Sequence, residues 1–284
     1  MNSPVDPNLG GGSLLIAWQL KDKNVLIVGG GEVASQRVES ILVTDANIVI
    51  LCPENGVSPR TRRFIELYPD RISYYDRLFT GPDELNNMDM VLTAIDDNDR
   101  SREIVELCRK ARVPVNAADI PDLCDFYFGA QVRDGPLQIM ISTNGQGPRL
   151  SALIKQKIQG SLTGREGEAI RKVGELRQLL RVYEPGVGGP SGRKRMKWMT
   201  QLCNQWDMEE FALMDDVMMK RLMEEGWAKE RTPSFEELGG KRPDSRTTKM
   251  TPLITSWSTS LVLPSLSFIA GLLVASLFSL PRRR

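Results

Sequence analysis

The stretch Val25-Leu26-Ile27-Val28-Gly29-Gly30-Gly31-Glu32-Val33-Ala34 decides the fold. Val25 to Val28 is a short, largely β-branched apolar run closed by glycines, which reads as a buried strand. Helical spacing follows Gly31, with Val33, Val38, Ile41 and Leu42 on one face. Gly29, Gly31 and Ala34 fit G-x-G-x-x-A at the junction. The first glycine permits a tight turn, the second lets the backbone approach a pyrophosphate, and the alanine allows helix and strand to touch. The phosphates sit at the helix N-terminus, where unpaired N–H groups and the dipole attract anions. A glycine string alone is weak evidence. Between a strand and a helix it marks a dinucleotide site.

Working outward, Ile48 to Leu51 reads as a second buried strand and Pro59 to Tyr68 as helical. Ile72 to Tyr75, Met90 to Ala94 and Val113 to Ala117 read as further strands, with a helix near Ser101 to Ala111. Strands alternating with helices at this spacing imply βαβ units and a parallel sheet. The fold class is α/β, with a Rossmann NAD-binding domain over residues 14–117. The second strand runs into Cys52-Pro53-Glu54. An acid there binds ribose hydroxyls and repels a 2′-phosphate, which favours NAD over NADP; the plain alternative is a surface glutamate in a loop.

The texture then changes. DFYFGAQV (125–132) and LQIMIST (137–143) flank Asp134-Gly135, a hairpin signal. Pro148 stands where a first helical residue belongs, and an amphipathic helix continues to Gln159. Glu166 to Lys229 reads as helical, broken by a flexible loop at 184–192, and Arg231 to Lys249 reads as a polar linker. The map is a disordered leader (1–13), the Rossmann domain (14–117), a middle α+β region (118–163), a helical C-terminal domain (164–230), a linker (231–256) and a tail (257–284). Met250 to Pro281 carries no charge. Leu261 to Leu280 has the ~30 Å helical length of a bilayer core and predicts a C-terminal transmembrane tail. The lack of a signal peptide and the basic residues before the span keep the catalytic part cytosolic. The short basic end, Arg282-Arg283-Arg284, points to the mitochondrial outer membrane over the endoplasmic reticulum.

Composition excludes several classes. With 37 basic and 36 acidic residues in 284, the net charge is +1, and no field draws the chain to nucleic acid. Cys52, Cys108, Cys124 and Cys203 are too scattered for a disulfide framework or a zinc site, and read as buried, reduced thiols. There is no histidine. Histidine-ligated zinc hydrolases and Ser-His or Cys-His nucleophiles are therefore excluded, and proton transfer must use a carboxylate, Lys, Tyr or Cys. Asp119, in Asn116-Ala117-Ala118-Asp119, lies just past a strand on the side where open α/β sheets bind ligands. Half shielded by Phe126 and Phe128, it is the candidate proton acceptor. The alternative is a turn or cap aspartate.

QLKDKNVLIVGGGEVA, NAADIPDLCDFYFGA and ISTNGQGPRLSALI together resemble fungal and bacterial siroheme synthases, which are precorrin-2 dehydrogenase/sirohydrochlorin ferrochelatases. The resemblance covers about Leu15 to Gln159 well and the helical region to Lys229 loosely. It implies a middle region that interlocks two chains into a homodimer. It implies Asp119 as the catalytic aspartate, and cofactor contacts on Gly29, Gly31, Glu32, Val33, Pro53 and Glu54. The implied chemistry is removal of a hydride from precorrin-2 by NAD while a base takes a proton, giving sirohydrochlorin. Ferrous iron then enters as two pyrrole protons leave, so one carboxylate can serve both steps. A substrate ringed with carboxylates needs cations, and Arg149, Lys155 and Lys157 on the middle helix are candidates, although a charged helix face is more often simply solvated. Some relatives carry a histidine near the proposed metal site, so the metal ligand here is unknown. The tail lies outside the family's common core. The rivals are another NAD-dependent oxidoreductase on the same scaffold and a membrane-tethered NAD-binding sensor that tolerates loss of Asp119.

Overall fold

The structure, a computed structural model, describes residues 12–242. Five parallel strands form the first sheet: β1 (Asn24–Val28), β2 (Asn47–Leu51), β3 (Ile72–Tyr75), β4 (Met90–Thr93) and β5 (Val115–Ala117). Their spatial order is β3-β2-β1-β4-β5. Successive side chains of a strand point to opposite faces, and a parallel sheet is covered on both. Val25 and Ile27 accordingly pack with Ala34, Val38 and Ile41 of α1 (Glu32–Leu42). Between β2 and β3 in sequence, α2 (Pro59–Leu67) starts at Ser58, whose hydroxyl accepts from Thr61 N–H, with Pro59 at the first helical position. On the other side of the sheet, Leu26 and Val28 pack with Ile104, Val105 and Cys108 of α3 (Asn98–Ala111).

The chain runs outward from β1 to β3, then returns across β1 to build β4 and β5. That reversal opens a crevice beyond the carboxyl ends of β1 and β4, where ligands of such sheets bind.

The middle region is an antiparallel hairpin of β6 (Ala130–Asp134) and β7 (Leu137–Ile141), followed by α4 (Pro148–Ser161). The hairpin begins well inside the stretch DFYFGAQV, at its Ala130. Asp125 is already committed to β5: its carboxylate accepts from Val115 N–H at 3.0 Å, and its own N–H donates to Val115 C=O at 2.9 Å. Asn116 Nδ2 donates to Phe126 C=O at 2.8 Å. One backbone and two side-chain bonds to β5 stand in place of a hairpin ladder here.

The helical part comprises α5 (Glu166–Tyr183), α6 (Gly189–Gln205), α7 (Met208–Leu213) and α8 (Asp216–Arg221). It has its own core, with Leu176, Leu180, Trp198, Leu202, Trp206 and Phe211 among its buried residues. Helix α6 begins inside the stretch expected to be a flexible loop. Residues 231–240, expected to open the linker, pack onto this core through Phe235 and Leu238. The indoles hold them there: Trp198 Nε1–H donates to Arg231 C=O at 2.8 Å, and Trp206 Nε1–H to Pro233 C=O at 3.0 Å. Gly167 N–H donates to Asp134 Oδ2 at 2.7 Å and fastens α5 to the hairpin.

The expected transmembrane architecture is corrected. No helix among the described residues is long and apolar enough to cross a membrane. The stretch 257–284 lies outside the described residues, as do residues 1–11 of the expected leader. The fold class is α/β with a Rossmann-like parallel sheet and a helical C-terminal part. Neither a membrane anchor nor a mitochondrial outer-membrane location is retained.

Leu176 is fully buried at the centre of the helical core. Leu176→Ala removes apolar burial and leaves a cavity, and should cost ~2–5 kcal/mol. Urea denaturation of the full chain should show the lower midpoint; an unchanged midpoint would mean that this core is not closed as described.

Candidate functional site

Four features stand along the carboxyl edge of the large sheet: Glu54 after β2, the glycine loop after β1, Ala94 after β4, and Asp119 after β5. Neighbouring strands are ~4.8 Å apart, so the row from β2 to β5 spans roughly 14 Å.

The three glycines have three different reasons. Gly29 has φ +118, and a Cβ there would overlap the Ala94 carbonyl oxygen; only glycine closes β1 against β4. A Cβ on Gly30 would lie 2.7 Å from Cys52 Sγ, so this position is fixed by packing against the end of β2. Gly31 is the N-cap of α1 in an extended conformation, and a Cβ there would meet nothing within 4 Å. Its space is left open in front of the helix N-terminus, where an anion is favoured. Glu32 and Val33 occupy the first turn of α1, both exposed; Val33, placed on the buried face by its spacing, is 37% accessible. These features fit a dinucleotide pyrophosphate.

Pro53 is half-buried and caps a short 3-10 turn, Glu54–Gly56. The Glu54 carboxylate is held by Arg62 at 2.6 Å and accepts from the Tyr74 hydroxyl at 3.1 Å. Its backbone N–H donates to Asp76 at 2.7 Å. Desolvation first, and the bond to Glu54 next, push the Tyr74 hydroxyl up to about 12, so Tyr74 is a neutral donor. The acid expected at the end of the second strand is therefore fixed in place, with a cation beside it.

Asp119 follows β5 in the left-handed region, φ +60, which aspartate and asparagine tolerate better than most residues. Ala118 N–H donates to Thr93 C=O at 2.9 Å and ties this turn to the end of β4. Asp119 lines a cleft of about 280 Å³, walled by the Rossmann edge on one side and by the end of β7 and the start of α4 on the other. Asp119 is exposed. Of the two rings expected to shield it, Phe128 lines the same cleft and Phe126 does not: the rings pack on each other at 5.8 Å, Phe126 against Trp18 and Phe128 against Arg37.

Other groups of the cleft were not singled out from the sequence. Arg37 of α1 is half-buried, with its guanidinium 4.3 Å from the Phe128 ring centroid. Asn116 is buried, and its Oδ1 has no hydrogen-bond partner. The Cys124 thiol donates to Ala117 C=O at 3.1 Å; burial pushes it up, which keeps it a thiol. Arg37 follows Ala34 by three residues, on the same side of the helix, and that spacing was the available signal. By contrast, Arg149, Lys155 and Lys157 are outside the cleft lining, which α4 enters through Pro148 and Ser151. At about 100° per residue Arg149 and Lys157 fall roughly 80° apart on α4, with Lys155 turned away from both. Among the described residues no group of histidine, cysteine and carboxylate side chains forms a metal site. All four cysteines are free, and Cys203 is exposed where burial was expected.

Three family models match the chain in order. The first, described as "Putative NAD(P)-binding", matches residues 16–130, sirohaem biosynthesis protein central matches 134–161, and sirohaem biosynthesis protein C-terminal matches 164–233. A siroheme biosynthesis protein of Schizosaccharomyces pombe is 46% identical over 228 residues, covering 80% of this chain and 84% of that protein. A siroheme biosynthesis protein of Saccharomyces cerevisiae is 32% identical, covering 75% of this chain and 89% of that protein. The solved structure of SirC, precorrin-2 dehydrogenase, shares the fold at TM-score 0.58 and 21% identity, covering 76% of this chain and all of that one. With three domains matched in order, and a relative nearly half identical over most of both chains, this chain belongs to the siroheme synthase family.

Proposed function

We infer that this enzyme oxidises precorrin-2 to sirohydrochlorin with NAD and then inserts ferrous iron to give siroheme. The observation that carries the reading is the position of Asp119: among the described residues it is the only carboxylate lining the cleft beside the β4–β5 edge, one strand from the crevice of the glycine loop. Gly29, Gly31, Glu32 and Val33 hold the pyrophosphate at the start of α1, while Pro53 and Glu54 face the adenosine ribose. Bound NAD supplies the hydride acceptor. Asp119 takes the proton that leaves precorrin-2 as the hydride departs. In the second step two pyrrole protons are lost as ferrous iron enters, and the same carboxylate is available to receive them one at a time. Iron is a substrate here. Arg149, Lys155 and Lys157 are left to meet substrate carboxylates outside the cleft.

The functional unit is a homodimer built on the middle region. Leu150, Leu153 and Ile154 of α4 are 60, 45 and 44% accessible, and Leu14, Leu15 and Ile16 are more than half accessible. Apolar side chains grouped in this way mark an interaction surface.

Three outcomes test this reading. Gly31→Asp puts a side chain and a negative charge where the pyrophosphate belongs, but its Cβ meets open space. The melting temperature should hold, NAD affinity should fall at least about tenfold (~1.4 kcal/mol), and iron insertion into supplied sirohydrochlorin should survive. Asp119→Asn keeps the left-handed backbone and removes the base, so turnover should fall by ~10²–10⁴ with NAD binding intact. Near-normal turnover would make Asp119 structural and move the base elsewhere. Glu54→Ala should free Arg62 for a 2′-phosphate and shift the NAD-to-NADP preference about tenfold (~1.4 kcal/mol) toward NADP, read as the ratio of dissociation constants. An unchanged ratio would remove Glu54 from the ribose site.

A further inference from the structure

Arg37 is an anomaly in the Asp119 cleft. It lies on α1, six residues after the N-cap Gly31. Its Nε is buried and has no hydrogen-bond partner, and no ion pair to it exists among the described residues. Burial disfavours its charged form, and the Asp119 carboxylate opposes that only through space, without a bonded contact. A half-buried cation without a bonded counter-charge is unfavourable, because water is lost and nothing replaces it.

The geometry says what is missing. Phe128 supports one face of the guanidinium at 4.3 Å. A cation–π contact engages the charge and leaves the guanidinium N–H donors for a partner. A planar fork of donors matches a carboxylate bidentately, as a lysine cannot. Among the described residues, Arg37 is also the only cationic side chain lining the cleft.

We propose that Arg37 is a substrate-binding residue that takes one carboxylate side chain of the tetrapyrrole and sets the macrocycle edge against Asp119. The assignment rests on the functional reading above and adds a residue that the glycine and aspartate motifs do not contain. Because α1 carries Arg37 and starts at Gly31, one rigid helix would hold the dinucleotide at its start and the tetrapyrrole nearly two turns later. Asn116 Oδ1, buried and unpartnered in the same cleft, is an acceptor awaiting a donor.

The test uses the full chain with metal-free sirohydrochlorin as the probe, followed by absorbance titration, together with precorrin-2 kinetics. R37M should weaken sirohydrochlorin at least about tenfold and raise KM for precorrin-2 in parallel. Its NAD affinity should be unchanged, and its kcat should fall by less than the ~10²–10⁴ expected for D119N. R37K, a charge without the fork, should fall between R37M and wild type; it also serves if R37M melts early. The permethyl ester of sirohydrochlorin should bind wild type and R37M equally, because the ester removes the carboxylate that Arg37 reads. Unchanged sirohydrochlorin affinity in R37M and R37K overturns the assignment, as does a difference that persists with the ester. If D119N loses turnover while R37M binds normally, the functional reading stands and only Arg37 is wrong. A wild-type protein that neither binds sirohydrochlorin nor oxidises precorrin-2 removes the functional reading itself, and Arg37 with it.

Discussion

The approach of β1 to the end of β4 is the constraint on which the rest of the site depends. Ala94 N–H donates to Val28 C=O at 2.8 Å, and the chain then turns at Gly29 directly against the Ala94 carbonyl. No side chain fits there, and the backbone adopts φ +118, which glycine alone accepts without strain. The turn fixes where α1 begins. From that start follow the open space at Gly31, the contact of Ala34 with the sheet, and the position of Arg37 beside β5. A Cβ at Gly29 would displace the end of β4 along with the start of α1, whereas a Cβ at Gly31 meets open space.

The two cores divide the work. The Rossmann sheet is covered on both faces, so its carboxyl edge is one of the few places where polar groups can gather without leaving the sheet open. The helical part closes its own core through tryptophans that spend their N–H groups on the backbone carbonyls of Arg231 and Pro233. Between them in sequence, the hairpin and α4 bury little. Val132 is the hairpin's buried strand residue, while Met140, Leu150, Leu153 and Ile154 stay accessible. This accessible apolar surface beside the cleft is what supports the proposed homodimer.

Legibility in the sequence followed locality. The glycine loop, the five parallel strands, the hairpin turn at Asp134-Gly135 and the helix start at Pro148 were readable because each depends on residues a few positions apart. The segment 125–129 was misread as strand, since its β-rich composition is real but its bonds go to β5 through Asp125 and Asn116. Residues 231–240 looked like a linker, because two buried apolar side chains among polar neighbours give no periodic signal; the partners are Trp198 and Trp206, some thirty residues away. The cations of α4 are legible by charge, and charge does not say which way a helix faces. Arg37 is hidden for the opposite reason, lying within a stripe of the helix whose neighbours Ala34, Val38 and Ile41 are core.

The absence of histidine narrows the chemistry more than any single contact does. No side chain type in this protein has an unperturbed pKa between ~5 and 8, so a proton leaving the substrate near neutrality needs a group that is already ionised. In the cleft, Cys124 is kept as a thiol by burial, and its hydrogen is given to carbonyl oxygens. The Tyr127 hydroxyl donates to Pro121 C=O at 3.4 Å. Arg37 is a cation and cannot accept a proton. That leaves the proposed role to Asp119, the carboxylate lining the cleft among the described residues, which is exposed there. That exposure suits a group asked to accept protons repeatedly within one overall conversion.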